Sequence, residues 1–128
     1  MIEEMIVITN NTLCIEKLKN KEKVKSIIFV NGSLMDVLIK VRDTIHKGHV
    51  LLTHPLMSSV KPNETYYKTV CVSQTRNNKV DIDSLMIIED SIITVEKLLK
   101  NSFKPVWNKD VLEDFRYIDC DIINSIFS

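Results

Sequence analysis

The chain has 128 residues, of which 45% are hydrophobic and 27% are charged, as is usual for one globular domain. Its seventeen basic and seventeen acidic side chains cancel, so it lacks the basic surplus by which nucleic-acid binders displace counterions. No apolar run approaches the ~20 residues that cross a bilayer, and residues 1–4 carry no cationic signal segment. We therefore expect a cytoplasmic protein of one domain, residues 1–128, with neither a nucleic-acid nor a membrane partner.

The three cysteines are odd in number, widely spaced and without a CxxC pair: Cys14, Cys71 and Cys120. This pattern predicts reduced, buried thiols, with a reactive or redox cysteine as the alternative.

The first half of the chain alternates strand and helix signals. Residues 5–9 are apolar and β-branched, which predicts a first strand, and the polar run after them is rich in helix N-caps. Residues 24–30 are apolar on both faces, as in a covered parallel strand. Ser33 and Asp36 have the spacing of a capping box, and Gly48 stands where the helix they begin should end.

The second half contains a long connection. Residues 50–53 predict a third strand, and about a dozen residues without helical or strand period follow it. Residues 66–73 predict a fourth strand. Two helices complete the chain, one over residues 83–101 and one from residue 108, with Ile118 predicted on the buried face of the latter.

This element order predicts an α/β fold, a single three-layer domain with helices on both faces of a mostly parallel sheet of about four strands. We expect strand order 2-1-3, with the fourth strand added at an edge. Strands one and three would then be neighbours, and ligands of open α/β sheets bind at the carboxyl ends of such a pair. The ligand-binding candidates near these ends are Thr9, Asn10, Asn11, Thr53, His54, Ser58, Ser59, Lys61, Asn63 and Glu64.

The three histidines do not predict a metal site. His49 and His54 stand at opposite ends of one predicted strand, about 16 Å apart at ~3.3 Å per residue, too far to share an ion. His54 is a candidate acid/base residue with Glu64 or Ser59, the alternative being a histidine that hydrogen-bonds the loop backbone. With only two glycines, the chain has no glycine-rich nucleotide loop, so we expect no cofactor.

Three polar stretches stand out: residues 9–11 (TNN), 48–56 (GHVLLTHPL) and 59–65 (SVKPNET). In these the chain resembles the GrdX family, small proteins encoded beside the glycine, sarcosine and betaine reductase genes of amino-acid-fermenting anaerobes. The similarity extends from the first strand to about residue 101 and is weakest near the end. Ser58 stands where glycine is common in the family, and Tyr66 where proline is common. If that glycine requires a positive φ, Ser58 would strain the loop or reshape it. The resemblance implies a cellular context and a candidate site, without assigning a catalytic role.

The leading hypothesis is a non-catalytic accessory protein that binds a small anionic or amino-acid-like ligand, or a reductase-system protein, in the crevice at the carboxyl ends of strands one and three. One alternative is a small enzyme that uses His54 as general acid/base. Another is a structural homodimer formed through the edge of the fourth strand or through the last helix.

Overall fold

Strand β1, Met5–Thr9, is buried along its whole length and lies at the centre of the sheet. The computed structural model describes residues 3–57, 66–101 and 108–127. Along the chain the remaining elements are α1 (Thr12–Leu18), β2 (Val24–Phe29), α2 (Leu34–His46), β3 (Thr69–Ser73), α3 (Ile82–Asn101), α4 (Lys109–Asn124) and a 3-10 turn (Ser125–Phe127).

The described sheet has three strands in the order β2-β1-β3 and is mixed. β1 and β2 are parallel, with Val7 opposite Ile27. β1 and β3 are antiparallel, with Val7 opposite Cys71. The α/β class is confirmed, whereas the mostly parallel sheet of four strands was wrong.

The difference lies in the two segments predicted as strands three and four. The segment beside β1 is the predicted fourth strand, shortened to Thr69–Ser73. Residues 50–53 lie on its far side and form a single bridge, Leu51 to Val72. Hydroxyl groups interrupt a regular ladder there, because Val50 N–H donates to Ser73 Oγ and Cys71 N–H to Thr53 Oγ1. These bonds occupy the outer edge of β3, the predicted fourth strand, which is the edge named in the homodimer alternative.

Two apolar layers cover the faces of the sheet. On one face, Ile6 and Ile8 pack with α2 and α3. On the other, Met5 and Val7 pack with α1, α4 and the thiols. The alternation follows from the strand period of two, which sends successive side chains to opposite faces. Helices on both faces are therefore confirmed.

The ends of α2 were predicted correctly. Ser33 Oγ accepts from Asp36 N–H, and the Asp36 carboxylate accepts from Ser33 N–H, so both halves of the capping box are present. Gly48, one residue beyond the C-cap Lys47, has φ 104°, a backbone conformation that favours glycine. No helix in the described part of the chain is long and apolar enough to span a membrane.

Candidate functional site

The asparagine pair after β1 lies in a network of hydrogen bonds at the carboxyl end of that strand. Asn11 is the N-cap of α1, and its Oδ1 accepts from Leu13 N–H at 3.1 Å. Its Nδ2 donates to the Arg116 carbonyl at 2.9 Å and to Asp119 Oδ2 at 3.1 Å. Asn11 is fully buried, so its amide joins α1 to α4 inside the protein.

Asp119 is the acceptor at the centre of this network. Its Oδ1 accepts from Thr69 N–H at 3.1 Å, and its Oδ2 accepts from the Thr69 hydroxyl at 2.7 Å. Thr9 Oγ1 lies 2.8 Å from Thr69 Oγ1 and accepts from Asn11 N–H. Asp119 is 8% exposed, and a buried carboxylate requires such donors to offset its lost hydration.

Asp119 was missed in the sequence. The only available signal was an acidic side chain next to the apolar residues of an amphipathic helix, and such a side chain usually lies in solvent. The prediction for the neighbouring Ile118 was wrong, because Ile118 is 53% exposed while Asp119, Cys120 and Ile123 are buried. Helix α4 is thus rotated so that its carboxylate faces the sheet.

The three thiols are free and buried, which confirms the structural prediction. Burial raises the pKa of the Cys14 thiol and the nearby Asp119 charge raises it further, while the Thr69 hydroxyl acts against them. Burial raises the pKa of Cys71 to about 12 and also raises that of Cys120. Reactive cysteines are exposed and have lowered pKa values, so these thiols have a packing role.

The Asn10 side chain hydrogen-bonds to the backbone of two segments at the carboxyl end of β1. Its Nδ2 donates to the Gly32 and Tyr66 carbonyls, each at 3.0 Å. Its Oδ1 accepts from Lys68 N–H at 2.9 Å. Asn10 therefore fixes the turn after β2 and the approach to β3, and each polar atom of its side chain has a partner inside the protein.

Lys68 extends this connection to the His54 side. Its Nζ donates to the Met57 carbonyl at 3.2 Å, and Met57 N–H donates to the His54 carbonyl at 3.1 Å. Lys68 is 5% exposed. Burial lowers the pKa of its ammonium group, and the Asp119 charge acts in the opposite direction. The asparagine pair and the His54 turn thus lie at the same end of the sheet, connected through Lys68.

Thr53 and His54 differ sharply in their surroundings. Thr53 is buried, and its Oγ1 accepts from Cys71 N–H at 3.0 Å. His54 is exposed, and its Nδ1 accepts from Leu56 N–H at 3.0 Å. His54 therefore hydrogen-bonds the loop backbone, as the alternative to an acid/base role predicted. We name residues 54–57 with residues 66–68 the corner surface.

The expected neighbourhood of strands one and three was wrong, since β3 lies between β1 and residues 50–53. The crevice between those two strands therefore does not form. The remaining candidates, Ser58, Ser59, Lys61, Asn63 and Glu64, lie outside the described residues. Within the described ranges, no three His, Cys, Asp or Glu side chains are close enough to hold a metal ion.

A family model described as GrdX-like protein matches residues 6–128. The match confirms the resemblance and extends beyond residue 101 into α4. Comparison with curated proteins and with solved structures gives no match.

Proposed function

Because the chain belongs to the GrdX-like protein family, we propose that it is a non-catalytic accessory protein of the glycine, sarcosine and betaine reductase system in the cytoplasm of an amino-acid-fermenting anaerobe. In this proposal a protein of that system contacts the corner surface. Residues 48–56 and 59–65 support the link, because both stretches resemble the family. The first includes residues 54–56 of the corner surface, and the second lies between its two parts in the sequence.

The observation that carries the proposal is the double attachment of the corner surface to the sheet. Asn10 binds the Tyr66 carbonyl and Lys68 N–H, and Lys68 binds the Met57 carbonyl. Both described parts of the corner surface, residues 54–57 and residues 66–68, are therefore held by one buried network. A surface that is fixed before binding loses less conformational entropy when a partner arrives.

A protein partner fits this arrangement better than a small ligand does. A small anionic or amino-acid-like ligand needs free donors, and the amides of Asn10 and Asn11 already donate to protein acceptors. A small ligand that is recognised through hydrogen bonds to these amides would have to displace the bonds that they already make. The exposed His54 ring, by contrast, is accessible to another protein.

The acid/base alternative requires Glu64 or Ser59 beside His54, and it stays a prediction. His54 Nδ1 already accepts from Leu56 N–H, which leaves Nε2 as the nitrogen that can exchange a proton with a substrate. Activity that depends on His54 would favour the enzyme.

The test measures binding of the full chain to each purified protein component of the reductase system, and separately to glycine, sarcosine and betaine. We expect one component to bind and His54→Ala to weaken that binding by about tenfold, as for a residue in the core of a contact. Met86→Ala is the matched control, because Met86 is 60% exposed on α3, and it should bind as the wild type does.

Three results would contradict the proposal. Failure to bind any component would exclude the accessory role, and conversion of any of the three compounds by the isolated chain, abolished in His54→Ala, would establish the enzyme instead. Saturable binding of one of the three compounds without a protein partner would favour the small-ligand alternative.

A further inference from the structure

Strand β2 forms an open edge of the sheet, since among the described residues its only strand neighbour is β1. Val30 N–H donates to the Thr9 carbonyl of β1 at 2.7 Å. Backbone groups of successive strand residues point alternately to the two sides. Lys25, Ile27 and Phe29 therefore direct their N–H and C=O groups away from β1, where another strand can pair with them.

The second half of this edge, residues 27–30, is apolar on both faces of the sheet, whereas Lys25 in the first half is exposed and pairs with Glu4. Ile28 and Val30 lie on the α2 side, where with Ile39 of α2 they line a groove of about 380 Å³. Phe29 points to the other face and is 44% exposed. Natural proteins usually protect edge strands with charge, distortion or a covering segment, and an apolar open edge is a template for another strand.

The α2 wall of the groove carries charges of alternating sign. Asp36, Lys40 and Asp43 of α2 and the C-cap Lys47 follow one another at spacings of four, three and four, which places them in one stripe along the helix and its C-cap. Three of them line the groove. Read from Asp36 to Lys47 the charges are negative, positive, negative and positive, and read in the opposite direction each position has the opposite charge. Two copies of the stripe that run antiparallel would therefore place unlike charges opposite each other.

We propose that a second copy of this chain covers the β2 edge, by antiparallel β2–β2 pairing about a twofold axis near Ile27. In this register Ile27 of one copy pairs with Ile27 of the other, and Lys25 pairs with Phe29, so that outward backbone groups meet outward groups. The α2 stripes then face each other, with Asp36 opposite Lys47 and Lys40 opposite Asp43. A twofold interface must be self-complementary, and both the strand and the charged stripe satisfy this condition.

The proposal goes beyond the accessory function and uses a different surface, so either can fail without the other. Its test is the oligomeric state of the full chain, measured by sedimentation equilibrium over a wide range of concentrations. We expect a dimer. Asp43→Lys or Lys40→Asp alone should weaken dimerisation by about tenfold, because each turns two symmetric attractions into repulsions. The double variant Lys40→Asp/Asp43→Lys should restore it.

A second variant tests the strand pairing. Phe29→Pro removes an outward N–H without removing a β1–β2 hydrogen bond, since proline is tolerated where the N–H faces away from the ladder. This variant should be a monomer with an unchanged circular dichroism spectrum. Met86→Lys, on the exposed side of α3, should remain a dimer.

A monomer at every concentration would overturn the proposal. So would a dimer that both single charge variants leave intact, because the α2 stripes would then not meet. Loss of the dimer in the double variant as well would exclude the antiparallel register.

Discussion

Thr69 is bound to Asp119 by two hydrogen bonds, from its N–H to Oδ1 at 3.1 Å and from its hydroxyl to Oδ2 at 2.7 Å. The two residues are 50 positions apart in the chain. Thr69 is the first residue of β3, and Asp119 belongs to α4. A buried carboxylate thus attaches the last strand of the sheet to the last long helix.

Asp119→Asn should destabilise the protein by about 2–4 kcal/mol, because the new amide group turns an NH₂ toward donors that need an acceptor. Urea denaturation gives the free energy of unfolding. Asp121→Asn is the matched control: Asp121 is exposed two residues away, and its replacement should change stability by less than about 0.5 kcal/mol. Equal denaturation midpoints for the two variants would show that the Thr69–Asp119 bonds contribute nothing.

Asn10→Asp should destabilise the protein by a similar amount, about 2–4 kcal/mol. The carboxylate can still accept from Lys68 N–H, but it cannot donate to the Gly32 and Tyr66 carbonyls and repels both. Asn31→Asp, at an exposed position in the same turn region, should be nearly neutral. Thermal unfolding of the two variants side by side measures the difference, and similar melting temperatures would argue against the clamping role of Asn10.

The free energy of unfolding should fall between pH 9 and 10.5. Burial raises the pKa of Cys71 to about 12 and raises those of Cys14 and Cys120 from their ordinary value of 9.0. Above pH 9 the unfolded chain therefore releases thiol protons that the folded chain keeps, which lowers stability by at most ~1.4 kcal/mol per pH unit for each thiol.

Lys68 acts in the opposite direction. Its pKa is lowered from 10.5 by burial, so the folded chain holds this proton less tightly and stability gains as pH rises toward 10.5. We expect the loss of stability from the three thiols to exceed the gain from the one ammonium group. Between pH 8 and 10, Cys71→Ala should remove about 1.4 kcal/mol of the total fall in stability, whatever its effect at neutral pH. An unchanged fall in denaturation series at pH 8, 9 and 10 would contradict the assignment.

Gly48→Ala should cost at least about 2 kcal/mol, because its φ of 104° is unfavourable for any residue with a Cβ and that atom would meet the Asn77 carbonyl. Gly32→Ala should cost less. Gly32 has an ordinary φ, and its Cβ would meet only the Asp36 side chain, which can move at the expense of the capping box. A smaller loss at Gly48 than at Gly32, measured by urea denaturation, would refute this reasoning.

Local chemistry explains which features could be predicted from the sequence. The capping box of Ser33 and Asp36, the N-cap at Asn11 and the helix end at Gly48 depend on residues within a few positions, so the sequence contains their causes. β1 was predicted with its observed bounds, because a short β-branched run between polar residues has few alternatives.

The failures concern contacts between distant parts of the chain. Residues 50–53 have the composition of a strand, yet Thr69–Ser73 is the neighbour of β1, and residues 50–53 lie beyond it. The local composition of the two segments does not distinguish between these arrangements. The rotation of α4 depends on Asp119 finding Thr69 and Asn11, and helical periodicity favoured Ile118 instead. Helical periodicity identifies the face that is richest in apolar residues. It cannot show that a carboxylate is buried because it accepts hydrogen bonds from residues far away in the sequence.

The bond between Asn11 and Asp119 spans 108 positions, and this separation governs the order in which the protein can be completed. While the chain is synthesised, β1 leaves the ribosome long before α4, so the face of β1 that packs on α4 and the amide donors of Asn11 lack their partners until synthesis is nearly complete. A chain that stops before α4 therefore exposes the apolar face of the sheet formed by Met5 and Val7. We expect nascent fragments that stop before α4 to aggregate or recruit chaperones, while chains that include α4 escape both fates.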